Sequence, residues 1–376
     1  MRVGVNTLFM IPGEVGGTET YTRETLLAIA RRHPDIDLIL FTNRENDPVF
    51  RQELAAFPQV TFHSLPVQAT NRYGRVIHEQ TTLPWALPSE KLDLLWSPGY
   101  TCPHRSPCPQ IVSILDVQYR RFPDDFGLLT RIVTDALARL AARRARRIVT
   151  ISSFSKSEVV TLYHADPGRI DITYLAADPC FAEPVTNPSL PGNLANQPFI
   201  LCVSNTYPHK NMNRLVDAYG RIQSTIPHHL VLIGKARRGE PAILNALSGI
   251  ADPSRFHRLE RVSRTELIGM YQQAAIFVFP SLYEGFGLPI LEAMMAGTPV
   301  LTAQEASIPE LGGDRVRYAD VRDPARLADA MRTLLFQPPS EREPMIRLAR
   351  ERARAFSWDR TADETVQSFR RAALHS

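Results

Sequence analysis

Two glutamates separated by seven residues stand in the run YEGFGLPILEAMMAG, which extends from Tyr283 to Gly297 and places the carboxylates at Glu284 and Glu292. Carboxylates accept hydrogen bonds from hydroxyls, and sugars and riboses present vicinal hydroxyls. Gly285 and Gly287 let backbone N–H groups approach a ligand closely. Pro289 suits the first turn of a helix, where its missing N–H costs nothing, and Gly297 suits that helix's end. The helix start adds further N–H donors and a partial positive charge, which favour a diphosphate. A glycine loop with a solvated Glu and a second Glu near a helix start would look the same if the two glutamates were all there was to weigh.

Lys210 follows a β-branched run and precedes a helix expected to start near Met212, a position suited to a phosphate; an exposed turn would also carry a surface lysine. Gly16 and Gly17 lie at a strand-to-helix turn near the start of the chain. They suit either N–H donation to the same diphosphate or simply a tight turn.

Positioning these residues requires strands that end at one edge of a sheet. Runs at Arg2–Asn6, Leu38–Thr42, Val60–Leu65, Leu92–Trp96, Ile111–Leu115 and Arg147–Ser152 read as strands, with a helix from about Thr18 to Arg32 after the first. A second series reads as strands at Phe199–Ser204, Leu230–Gly234, Ile276–Ser281 and Pro299–Ala303. Helix-length segments between them imply crossovers and mostly parallel sheets, an α/β architecture. Ligands of such sheets bind outside the carboxyl ends of the strands. Ser263-Arg-Thr-Glu266 and Ser340-Glu-Arg-Glu343 read as capping boxes that start helices. Between Pro179 and Pro198 the chain carries Pro184, Pro188, Pro191 and Gly192, a linker composition. The expected domains are therefore residues 1–180 and 195–357, with a last helix from about 358 to 376 packing back on the first.

The chain has 376 residues, 44% hydrophobic and 22% charged, with a net charge of +4, which suits a folded two-domain protein. No stretch approaches the roughly 20 apolar residues that span a bilayer, and the start turns polar too soon for a signal peptide. A cytoplasmic protein with reduced cysteines is expected. Cys102 and Cys108 lack the second ligand pair of a metal loop. Asp35-Ile36-Asp37 spells a metal-binding DxD but has no supporting ligands nearby. No metal site is expected.

The run around Glu284 and Glu292 resembles the E-x7-E signature of glycosyltransferase family 4, retaining enzymes of GT-B fold with two Rossmann-like domains facing a cleft. Val15-Gly16-Gly17-Thr18-Glu19 resembles the family's amino-terminal glycine loop. Ile148–Ser155 resembles its helix-starting serine motif, and Tyr207-Pro208-His209-Lys210-Asn211 its phosphate loop. The resemblance implies that Glu284 contacts the donor sugar and Glu292 the ribose. It implies that Lys210 neutralises the diphosphate, and that backbone groups of Phe286, Gly287 and Leu288 hold sugar and diphosphate. Tyr283, Gly285, Ser204, Asn205 and His209 complete the expected donor surface. Leu115 stands where relatives often carry His, followed by Asp116, a candidate catalytic residue that equally suits a buried or capping role. His209 stands where many relatives have Arg, and Ser204 and Asn205 lack a basic residue found there in some, so leaving-group charge rests on Lys210, helix dipoles and Lys235 or Arg237.

The implied activity is hexosyl transfer from a nucleotide sugar, with GDP-mannose expected first and UDP- or dTDP-sugars as alternatives. The implied acceptor is an oligosaccharide or a polyprenyl-diphosphate-linked glycan of bacterial surface polysaccharide. The segment Phe122–Arg147, with six arginines and with Leu129, Ile132 and Val133 at helical spacing, suits an anionic membrane surface or a core-facing helix equally. Within the same fold, an epimerase or a synthase with a soluble acceptor are rival activities. An NAD-dependent oxidoreductase lacks its G-x-G-x-x-G after the first strand. A nucleic-acid-binding protein lacks aromatic and basic residues interleaved.

Overall fold

The computed structural model describes residues 1–185, 190, 194 and 197–374. It divides into two compact units, Met1–Leu175 with Ser357–Ser376, and Ala176–Phe356. The linker residues Pro188, Pro191 and Gly192 and the last two residues of the expected terminal helix lie outside the described residues.

The first unit holds a seven-stranded, all-parallel sheet of β1 (Arg2–Asn6), β2 (Asp37–Thr42), β3 (Val60–Ser64), β4 (Leu94–Ser97), β5 (Gln110–Ser113), β6 (Arg147–Thr150) and β7 (Ile170–Ile172). Its order is β3-β2-β1-β4-β5-β6-β7. The second unit holds a six-stranded, all-parallel sheet of β8 (Phe199–Val203), β9 (His229–Ile233), β10 (Phe256–Leu259), β11 (Ile276–Phe279), β12 (Val300–Thr302) and β13 (Arg317–Tyr318). Its order is β10-β9-β8-β11-β12-β13. Central strands such as β2 and β11 are buried at nearly every residue, as expected where helices cover both faces.

The helix Trp358–Ala373 belongs to the first unit by its contacts. Phe369 packs at 5.5 Å from Trp96, whose indole N–H donates to Ser113 Oγ over 2.9 Å. Arg31, Arg32 and His33 meet Asp359 and Asp363 along the outer edge of that packing. Asp171 on β7 accepts from Arg147 and from Ser368 of the same helix.

Ser263 and Glu266 form the expected reciprocal cap of helix Arg264–Gln273. The box expected at Ser340 is absent. The helix Pro339–Arg354 starts two residues earlier than a Ser340 cap would place it, with Pro338 at its N-cap, so Ser340 lies inside the first turn and caps nothing.

Candidate active site

In each sheet the strand order reverses beside the first strand of its unit. In the second unit this happens between β8 and β11, the place at which open α/β sheets take ligands, beyond the carboxyl ends of the strands. The segment after β8 carries Ser204, Asn205, His209 and Lys210. The segment after β11 carries Tyr283, Glu284, Gly285, Phe286 and Gly287. A main-chain hydrogen bond from Leu282 N to His209 O, 2.8 Å long, ties the two segments together.

The Lys210 ammonium donates to Glu284 Oε1 over 2.6 Å. It also lies 5.6 Å from the centre of the Phe279 ring, which favours a cation. The Lys210 and Glu284 side chains keep only 17% and 12% of their surface, so this is a sheltered ion pair with an open side. Ser307 holds the glutamate's loop, its hydroxyl lying 2.8 Å from Glu284 O and 2.9 Å from Phe286 O. Nothing in the sequence marked Ser307, because it enters from the segment after β12, remote along the chain.

Gly287 adopts φ 110°, a left-handed conformation that disfavours a side chain, and it caps helix Leu288–Ala296. Pro289 sits in the helix's first turn, and Gly297 ends it with φ 84°. In the first turn Pro289 carries no N–H and Ile290 N donates to Gly287 O over 3.0 Å, which leaves the Leu288 N–H without an intrahelical acceptor. Tyr283 and Phe286 are buried, so their rings are not open to a ligand.

Glu292 lies one turn into this helix and accepts from the Tyr271 hydroxyl over 2.8 Å. Burial pushes the Glu292 carboxyl above its ordinary range, against the opposing hydrogen bond from Tyr271. Tyr271 carries no sequence signal, since a helical tyrosine reads as core.

Asn205 and Lys235 build the rim. Asn205 Oδ1 accepts from the backbone N–H of Lys235 over 2.8 Å, and Thr206 Oγ1 accepts from that of Arg237 over 2.7 Å. Gly234 has φ 143°, and a Cβ there would fall 2.1 Å from Ser204 O. The loops after β8 and β9 can lie this close because position 234 has no side chain. Ser204 directs its own hydroxyl to Asn205 O over 3.2 Å, and His209 is buried.

Gly16, Gly17 and Asp116 stand in the first unit. Gly16, at φ 66°, caps helix Gly17–Arg32, and a Cβ at either glycine would meet open space. Asp116 follows β5 and accepts from Gln118 N over 3.2 Å. Leu115 is buried, and its carbonyl accepts from Ser155 Oγ over 2.6 Å. Its side chain therefore belongs to the core.

Sequence comparison gives this geometry a class. Residues 15–180 match the family model described as Glycosyltransferase Family 4, and residues 191–352 match that of glycosyl transferases group 1. The chain is 29% identical over 318 residues to the O-antigen chain mannosyltransferase B of Escherichia coli, covering 79% of this chain and 78% of that one. It is 30% identical over 235 residues to an MMP alpha-(1->4)-mannosyltransferase of Mycolicibacterium hassiacum, covering 61% of this chain and 55% of the relative, little more than half its length. Among solved structures, sucrose-phosphate synthase of Thermosynechococcus elongatus superposes with a TM-score of 0.79 at 17% identity, over 100% of both chains. HepE of Anabaena, in a complex with UDP and glucose, superposes with a TM-score of 0.72 at 18% identity, over 99% of this chain and 100% of that one.

The two parallel Rossmann-like units have the GT-B fold. The chain belongs to glycosyltransferase family 4 and is a hexosyltransferase enzyme.

Proposed function

We propose that the enzyme moves mannose or a related hexose from a nucleoside-diphosphate sugar to a glycan or lipid-linked acceptor in surface-polysaccharide synthesis. The observation that carries this reading is the meeting of Lys210 and Glu284 at the reversal of strand order, beside the start of helix Leu288–Ala296. A diphosphate needs the cation and the amides, and a sugar needs the carboxylate. The names of the mannosyltransferase relatives support GDP-mannose as the first donor to test, with UDP- and dTDP-sugars next.

In this reading Lys210 takes the charge of the departing diphosphate, with backbone groups of Phe286, Gly287 and Leu288. Glu284 orients the sugar, and Glu292 accepts from the ribose. With Lys210 and the amides meeting the diphosphate, transfer is metal-independent and survives EDTA. The bond between the anomeric carbon and the phosphate oxygen breaks, and the oxygen keeps the electron pair. The acceptor hydroxyl bonds to the same face of the anomeric carbon and passes its proton to the departing phosphate, so configuration is retained.

Among the described residues no helix is long and apolar enough to cross a membrane. The helix Leu128–Arg144 leaves Leu128, Leu129 and Ile132 exposed beside Arg131 and buries mainly Ala138, Ala141 and Ala142. This supports resting the first unit on an anionic membrane, from the cytoplasmic side, where a polyprenyl-diphosphate acceptor would be presented.

The test is a thermal-shift panel of GDP-, UDP- and dTDP-sugars, followed by proton NMR of the product. Stabilisation by one nucleotide family and an unchanged anomeric configuration are expected. No stabilisation by any of them, or an inverted product, overturns the reading.

A further inference from the structure

The first unit has its own reversal of strand order, between β1 and β4, and a polar cluster is built there. Asn6 ends β1 and Ser97 ends β4. Asn6 Nδ2 donates to Glu79 Oε1 over 2.7 Å and to Ser97 Oγ over 3.3 Å. Thr101 Oγ1 lies 2.9 Å from Glu79 Oε1 and 2.8 Å from Oε2. All four residues are buried. Both oxygens of Glu79 are thereby engaged within the protein.

Arg75 lies one turn before Glu79 on the same face of helix Arg72–Gln80. It is half-buried, yet its guanidinium makes no ion pair and no hydrogen bond among the described residues. A charge in that setting is costly unless something pairs with it. Burial, aided by repulsion from Arg72, already pulls the Arg75 pKa below its ordinary value, against the attraction of Glu79. Beside the cluster, Tyr100 holds a left-handed φ of 69°, a conformation non-glycine residues adopt at a cost and which gathers at ligand sites. Gly99 precedes it, where a Cβ would fall 2.3 Å from the Phe9 ring.

We propose that Arg75 is the anion-recognising residue of an acceptor subsite at the β1–β4 reversal, so that the preferred acceptor carries a phosphate or carboxylate near the hydroxyl to be glycosylated. The guanidinium fork matches either oxyanion in bidentate fashion. The buried Asn6–Glu79–Thr101 network fixes the helix face on which Arg75 stands, and it keeps Glu79 from neutralising Arg75 through a direct bond. This inference rests on the proposed transferase reading, and it adds the chemical class of the acceptor.

The experiment compares kcat/KM for three synthetic acceptors that share one mannosyl group: an alkyl diphosphate ester, a uronate-bearing glycoside and a neutral octyl glycoside. GDP-mannose hydrolysis is followed alongside. In the wild-type enzyme one anionic acceptor is expected to exceed the neutral one by at least tenfold, and which one it is separates phosphate from carboxylate. Arg75→Met should bring that ratio to within about threefold of one, and Arg75→Lys should restore part of it. A variant that merely folds less well lowers all acceptors together and leaves the ratio intact. A wild-type ratio near one, or a ratio unchanged in a folded Arg75→Met, overturns the proposal. Failure of the wild-type enzyme to turn over any nucleotide sugar, even to water, would instead count against the transferase reading.

Discussion

Lys210 and Glu284 come from the ends of adjacent strands and satisfy each other, Nζ to Oε1 at 2.6 Å. On the proposed function, a diphosphate arriving at Lys210 displaces a carboxylate, which the sugar hydroxyls then take up.

Glu284→Gln separates these two roles. Removing the competing charge should tighten binding of a free nucleoside diphosphate by about fivefold, the worth of roughly 1 kcal/mol from one partly exposed ion pair. Transfer from the intact nucleotide sugar should fall by about 10²-fold or more, because the sugar loses its charged acceptor. Calorimetry and a product assay on the same preparation check both. Weaker nucleotide binding with unchanged transfer would contradict the assignment.

Glu292 links pH to both stability and affinity. Burial raises its pKa in the folded state, so the folded protein holds that proton to higher pH than the unfolded chain does. As pH rises from the ordinary carboxylate pKa through the raised folded one, folding stability falls. Glu292→Gln cannot ionise and still accepts from Tyr271. Its thermal midpoint should gain on wild type between acid and neutral pH, while its affinity for the nucleotide drops about fivefold through a weaker acceptor for ribose hydroxyls. A midpoint difference that stays flat with pH would count against it.

Asp171 works in the opposite sense. Burial pushes its pKa up, but Arg147, Ser368 and Arg371 together outweigh burial and hold it below its ordinary value. Stability from this carboxylate is present above the unfolded pKa and is lost as pH falls through the folded one. Asp171→Asn should cost about 3 kcal/mol at neutral pH by stranding Arg147, and the gap to wild type should close in acid. Denaturant titrations at several pH values measure this, and they report whether the last helix undocks first.

The sequence readings succeeded where periodicity and punctuation act locally. Central strands are unbroken apolar runs, and Gly287, Pro289 and Gly297 mark the ends of one helix by backbone conformation alone. The three strands without a sequence signal, β7, β10 and β13, are all edge strands. They are short, and polar residues such as Asp171 and Arg258 interrupt them and pair with Arg147 and Glu240. The Ser340 box failed because two prolines before it supply the helix start themselves. Lys210 and Glu284 were each legible from a local motif, but their mutual contact was not. Ser307, Tyr271 and the Asn6–Glu79–Thr101 network reach their partners across the fold and leave no trace in local spacing.

The membrane contact proposed for helix Leu128–Arg144 has a direct readout. The protein should float with vesicles containing phosphatidylglycerol and not with phosphatidylcholine alone. Leu129→Asp combined with Ile132→Asp should abolish flotation, since each places a charge where an apolar side chain would insert. Flotation indifferent to lipid charge or to this double substitution would leave the helix without a membrane role.

The central claim is that one nucleoside diphosphate binds where Lys210 meets the glycine loop. Titrating GDP, and then UDP, into the wild-type protein and into Lys210→Met by calorimetry tests it most directly. Wild type should bind at least one of them, and Lys210→Met should weaken that binding by about tenfold or more through loss of a charge-assisted hydrogen bond. Equal affinity in both proteins would show that the diphosphate lies elsewhere and would contradict the account.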